Sequence, residues 1–147
     1  MKEKIYLIPG LMTDHRLWQR LEPYLNEYEL IHTPIPLSDD FDEIVDFIHE
    51  NIECEKINLL GFSLGGYIAS YYAIKYPSTV QRLFLVGSTP SATEEKDVSR
   101  RQKMLEVAKQ DKFIPLHIEK AKELLEVKED EEVAHTMVNM FNDLGHE

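Results

Sequence analysis

A single cysteine, Cys54, stands in a chain of 147 residues, which excludes an internal disulfide framework. Glu53 and Glu55 flank it, so nothing beside it in sequence would activate the thiol, and it reads as a small, partly buried residue. Long apolar runs are missing as well. No stretch approaches the length of a membrane span, and none behind a basic start approaches the apolar segment of a secretory signal. The cytoplasm is therefore the expected compartment. Bases are scarce: 16 Lys and Arg stand against 27 Asp and Glu, a formal net charge of −11. A nucleic-acid or anionic-membrane surface would need clustered bases, so neither partner is expected. The acidic excess is spread along the chain and reads as a solubility feature. No pair of His, Cys or acidic residues has metal-ligand spacing, and neither a metal nor a cofactor is expected. Internal repeats and low-complexity tracts are also lacking.

What is present is an ordinary globular balance, 43% apolar and 29% charged, in a length that suits one domain with a real core. The rest of the chain is arranged around residues 56–70. There an apolar run (Ile57, Leu59, Leu60) breaks into Gly61-Phe62-Ser63-Leu64-Gly65, and a helix-compatible segment follows without a spacer until Pro77 stops it. The order is strand, tight turn, helix. A serine at the apex of such a turn needs strained backbone angles and small neighbours, hence a glycine two residues to either side.

This stretch resembles the nucleophile elbow of the α/β-hydrolase family. Tyr6-Leu7-Ile8-Pro9-Gly10-Leu11 resembles the family's strand and oxyanion loop, with Pro9-Gly10 where His-Gly is frequent. Arg82-Leu83-Phe84-Leu85-Val86-Gly87 resembles the strand after the elbow helix. The resemblance covers about the first 92 residues in order.

The chain reads onward in the same alternation. Ile5 to Ile8 is a buried parallel strand, and a helix is expected over about Asp14 to Leu25, with Leu17, Trp18, Leu21 and Leu25 at helical spacing. Trp18 reads as core. Glu29 to Thr33 is a second strand, closed by an extended loop with Pro34 and Pro36. Ser38 or Asp39 is placed to cap a helix over about Phe41 to Ile52, with Ile44, Val45, Phe47, Ile48 and Ile52 on one apolar face. After the elbow helix, a strand begins at Val80 or Arg82 and runs to Val86. The fold class is thus α/β, a parallel sheet with helices on both faces. If it follows the family, the first and third strands are neighbours, and the oxyanion loop meets the elbow at the strands' carboxyl ends.

Past Gly87 the composition changes. A linker with Ser91 or Thr93 as N-cap leads into residues lacking strand pattern: Met104, Leu105, Val107 and Ala108, then Leu116 to Leu125, then Val133 to Leu144 carry amphipathic helical spacing. Residues 1–92 are read as the core portion and 93–147 as a helical, cap-like segment. The alternative is that these helices simply cover the sheet.

Serine is a weak nucleophile unaided and needs a histidine base oriented by a carboxylate. By the resemblance, Ser63 is the nucleophile, and the backbone N–H groups of Leu11 and Leu64 face the oxyanion. The family's acid and histidine follow on two further strands, which these 147 residues do not supply; the fold is read as incomplete for that reason. The position after the fourth strand reads Gly87-Ser88-Thr89, without a carboxylate, and Glu94, Glu95 and Asp97 come too late. Of six histidines, His15 is nearest to the site by sequence logic. His32 and His49 read as solvent-facing, and His117, His135 and His146 lie in the helical segment. None is assigned as the base.

The first functional reading is a serine hydrolase acting on a small-molecule ester or thioester, truncated or completed by a second chain, with a homodimer expected through the open strand edge at Leu83 to Val86. The second is a catalytically inactive ligand-binding protein. A phosphate-cradling loop at residues 61–66 is disfavoured, because the Gly-x-Gly-x-x-Gly spacing and a phosphate-loop lysine are missing.

Overall fold

The computed structural model describes residues 2–53, 55–89, 91, 94–110, 113–126 and 129–145. Cys54, Thr93 and His146, singled out above, lie outside the described residues. The chain divides into two compact units, Met1–Pro90 and Ser91–Glu147.

The first unit holds four strands and two α-helices: β1 (Lys4–Ile8), β2 (Glu29–His32), α1 (Phe41–Glu50), β3 (Ile57–Phe62), α2 (Leu64–Lys75) and β4 (Val80–Val86). All pairings are parallel, in the order β2-β1-β3-β4. The first and third strands are neighbours, with Leu7 opposite Leu60 and Ile8 opposite Gly61, so both end on the same rim.

Strand β1 reads as an unbroken apolar run because it is covered on both sides. On one face Tyr6 and Ile8 join Ile57 and Leu59 of β3, Ile44, Val45 and Ile48 of α1, and Ile68, Ala69 and Tyr72 of α2. On the other, Ile5 and Leu7 pack with Trp18, alongside Leu17, Leu21, Leu60 and Phe62. Trp18 is core, as its spacing predicts. At the opposite rim, where the strands begin, buried Asn58 donates from Nδ2 to the Lys4 carbonyl (3.0 Å) and to Glu3 Oε1 (3.1 Å). Arg82 pairs with the same Glu3 oxygen at 2.8 Å, so β1, β3 and β4 are tied together there.

Several local expectations are corrected. Residues 14–25 do not form one α-helix; two short 3-10 helices, His15–Trp18 and Glu22–Tyr24, take their place. Pro23 fits the break, since it has no N–H to close a helical bond back onto Gln19 and stands in the first turn of the second 3-10 helix, where none is needed. The cap of α1 is Asp40, not Ser38 or Asp39: Asp40 accepts the Asp42 N–H at 2.7 Å, while Ser38 Oγ accepts the Asp40 N–H at 3.0 Å. Phe47 is 45% exposed and stands off the buried face of α1. His49 is half-buried rather than free in solvent. Its ring stacks on Tyr76 at 3.8 Å, and Nδ1 lies 2.8 Å from the Tyr72 hydroxyl.

The outermost strand differs from its neighbours. Leu83 (36%), Phe84 (45%) and Val86 (47%) of β4 are exposed on both faces, and its far edge has no strand partner among the described residues.

The second unit is helical: α3 (Glu95–Ala108), α4 (Ile118–Leu124) and α5 (Glu131–Leu144). Asp130 caps α5 by accepting the Val133 N–H at 3.1 Å. Asn142 on α5 holds the main chain before α4, accepting the Leu116 N–H (2.8 Å) and donating to its carbonyl (3.1 Å). Buried in this unit, among the described residues, are Ala121, Ala134 and Met140. Helix α3 buries nothing: Met104, Leu105 and Val107, expected on a packed face, are 62%, 54% and 49% exposed. Glu94, not Ser91, stands in the cap position of α3, without a side-chain capping bond.

Candidate active site

Ser63 sits between β3 and α2 with φ 51° and ψ −114°. Few non-glycine residues adopt positive φ, and holding one there costs on the order of 1–3 kcal/mol, which the surroundings must supply. Three main-chain bonds do so. The Ser63 N–H donates to the Val86 carbonyl (2.9 Å), and its carbonyl accepts from Gly66 (3.0 Å) and Tyr67 (3.3 Å). The flanking glycines are required by space. A Cβ on Gly61 would fall on the main chain of Gly65 and Gly66, and one on Gly65 would collide with the carbonyls of Ile8 and Pro9. Methyl groups there would push the turn open, so the elbow and the end of β1 lie against each other only because neither glycine has a side chain.

Leu64 is the first residue of α2. Its N–H therefore has no intrahelical acceptor, and it lies at the positive end of the helix dipole. Ser63 and Leu64 are both partly exposed. The loop after β1 carries Leu11, whose side chain is 69% exposed. Gly10 to Thr13 forms a turn in which Met12 also has positive φ, 58°. Thr13 closes it, Oγ1 accepting the Gly10 N–H (2.8 Å) and donating to the Gly10 carbonyl (3.0 Å). Thr13 is a residue that the sequence pattern does not single out, although threonine hydroxyls can bond nearby backbone in turns.

The side chains beyond the turn are engaged with one another. Asp14 accepts the Arg16 N–H at 2.9 Å and pairs with its guanidinium at 2.7 Å, which holds the Asp14 carboxyl below its usual range. His15 and His32 meet edge-on at 6.0 Å, and His32 Nε2 lies 3.2 Å from Glu22 Oε1. On the helical layer, burial pushes the Tyr72 phenol up to about 12, with Tyr76 adding to the shift, so this hydroxyl stays protonated beside His49. His117 and His135 are exposed members of the second unit. After β4, Gly87 has φ 61°, and the Ser88 hydroxyl oxygen is buried without a hydrogen-bond partner. That position offers a hydroxyl where some members of the resembled family place a carboxylate. Among the described residues no group of three or more His, Cys, Asp or Glu side chains gathers as a metal site would require, and no helix is long and apolar enough to cross a membrane.

A strained serine at a strand-to-helix junction, two supporting glycines and a parallel sheet converge on one family. The model of the alpha/beta hydrolase fold matches residues 4–114. The chain belongs to the alpha/beta hydrolase family. Within it, the chain is similar to a monoacylglycerol lipase of Bos taurus, 31% identical over 144 residues, an alignment covering 86% of this chain and 42% of the relative. It is also similar to a pimeloyl-[acyl-carrier protein] methyl ester esterase of Aliivibrio fischeri, 32% identical over 102 residues, covering 63% and 39%. Among solved structures, a carboxylesterase study of the thaumarchaeon Nitrososphaera gargenis gives a TM-score of 0.72 at 18% identity, covering 95% of this chain and 58% of that one. That likeness shows the fold. The chain spans less than half the length of these two curated relatives.

Proposed function

We propose that this alpha/beta hydrolase cleaves an ester or thioester of a small molecule through an acyl-enzyme formed on Ser63. The observation that carries the reading is the positive φ of Ser63 at the junction of β3 and α2. That conformation sets the serine at the carboxyl rim with the unpaired amide of Leu64 next to it. In the proposed reaction, Ser63 Oγ attacks the substrate carbonyl while a general base takes its proton. The resulting oxyanion is met by the N–H groups of Leu64 and Leu11, each worth about 3 to 4 kcal/mol of transition-state stabilisation. Collapse expels the alcohol or thiol, and water attacking the acyl-enzyme by the reverse sequence frees the acid and Ser63. In this reading the base and its carboxylate lie outside these residues, on the two further strands that the family resemblance implies, and none of the histidines present is assigned as the base. Residues 93–147 act as a cap in this reading. Their apolar side chains favour an acyl or aromatic group, and the ester-cleaving names of the lipase and esterase relatives support the substrate class.

The test is covalent. A fluorophosphonate probe should add once to the wild-type protein that carries the base as well as these residues, at Ser63 by peptide mass mapping, and Ser63→Ala should abolish the adduct. An unlabelled wild-type protein with an intact melting transition would transfer the pocket to the second reading, ligand binding without catalysis.

A further inference from the structure

We propose that Thr13 is a positioning residue, whose hydroxyl clamps the loop after β1 so that the Leu11 amide is presented to the oxyanion. This rests on the reading of Ser63 as nucleophile. Met12 occupies the third position of the turn Gly10–Thr13 with φ 58°. A positive φ there is what a type II turn demands, and glycine or asparagine meets it at less cost than methionine. The main-chain closure is long: the Thr13 N–H reaches the Gly10 carbonyl at 3.3 Å. One threonine hydroxyl makes up the difference, accepting from the Gly10 N–H at 2.8 Å and donating to the Gly10 carbonyl at 3.0 Å, both partly buried.

The clamp has a directional effect. It occupies the Gly10 N–H and turns it toward Thr13, while the next amide, that of Leu11, makes no hydrogen bond to the described residues. An amide left open at that point can serve an incoming oxygen. The loop is also fixed to the elbow, since Gly65 in the first turn of α2 lies against the carbonyls of Ile8 and Pro9. Among the described residues, the non-glycine residues with positive φ are Met12 and Ser63, one on each side of that contact. Strain of this kind persists only where the surroundings over-determine it, and it gathers at sites that work. The Ser63 turn is held by main-chain bonds to β4 and α2. On the loop side, Thr13 has that task.

The variants are Thr13→Val, which keeps shape and removes the hydroxyl, and Thr13→Ser, which restores it; Thr13→Ala replaces the valine variant should that one fail to fold. Two readouts are taken: amide hydrogen exchange at Gly10 by NMR on the 147-residue chain, and the rate of fluorophosphonate labelling on the protein complete with its general base. Removing the hydroxyl should speed Gly10 exchange at least tenfold. It should also slow labelling by roughly tenfold to a hundredfold, the scale of a misplaced reacting group. Thr13→Ser should stay within about threefold of wild type on both counts. Faster exchange at Gly10 with labelling unchanged would show a turn clamp that positions nothing, and would overturn the proposal while leaving Ser63 intact. Equal slowing in the serine and valine variants would assign the effect to packing and overturn it too. A wild-type protein complete with its base that takes no label removes the Ser63 reading, and the role of Thr13 with it.

Discussion

The sheet unit and the helical unit are built to different depths. In the first, β1 and β3 are covered on both faces, and Leu7, Ile8, Ile57, Leu59 and Tyr72 are wholly buried. In the second, burial among the described residues comes down to two alanines and Met140. The same contrast separates two helices. Helix α1, ten residues long, buries Ile44, Val45 and Ile48, whereas α3, fourteen residues long, buries none. What this teaches is where a chain can hold an uncomfortable backbone. Met12 and Ser63 keep positive φ inside the densely packed unit, where neighbouring carbonyls and amides leave no easier conformation. A helix with solvent along its length has no comparable means of enforcement, and tight geometry is found accordingly on the sheet.

The contrast can be broken by mutation. Leu7→Ala should be the most damaging change, costing about 2–5 kcal/mol by urea denaturation, because Leu7, on β1, is fully buried in the cluster it forms with Ile5 and Trp18. A loss below about 1 kcal/mol would mean that the sheet is no better packed than the helices. Next comes Gly65→Ala, expected to cost about 1–3 kcal/mol from overpacking against Ile8 and Pro9, and to slow labelling of Ser63 as well. Acid should then act through Asp14. Its hydrogen bond from the Arg16 side chain, assisted by the Arg16 backbone N–H, lowers its folded pKa. The stability it lends is therefore present above its unfolded pKa, about 3.9, and disappears as pH falls through the lower folded value. Urea midpoints measured from pH 6 downward should decline less steeply at the acid end in Asp14→Asn than in wild type. Smallest of all, Leu105→Ala on α3 should change stability by less than about 0.5 kcal/mol, since Leu105 is 54% exposed. A larger loss would show that α3 packs against something in solution.

The elbow was legible because its requirement is steric and so falls on residue type: only glycine leaves room at 61 and 65. Strand order was legible through the same resemblance, and β1 and β3 stand adjacent as expected. The misreadings have a common physical origin. The spacing of Leu17, Trp18, Leu21 and Leu25 follows a helical period, but periodicity says which side chains face inward and not whether the chain between them can hydrogen-bond as a helix, and Pro23 has no N–H for such a bond. His49 looked solvated because its own helix places it on the polar side; its partners Tyr72 and Tyr76 come from α2, which no local pattern names. Helix α3 failed in the reverse sense. Its apolar residues recur as a packed face would have them, yet periodicity cannot supply a surface to pack on. Thr13 bonds the Gly10 main chain across three residues, a local contact that no periodicity marks.

The two rims of the sheet have unequal freedom. Asn58, Glu3 and Arg82 stitch three strands together where they start, so a change at that border is felt by every strand it joins. At the other border the ties run through the main chain instead: the Val86 carbonyl accepts the Ser63 N–H at 2.9 Å, and Gly65 lies against the carbonyls of Ile8 and Pro9. Most side chains on that border can therefore be exchanged without undoing its ties, whereas on the first border the side chains are the ties.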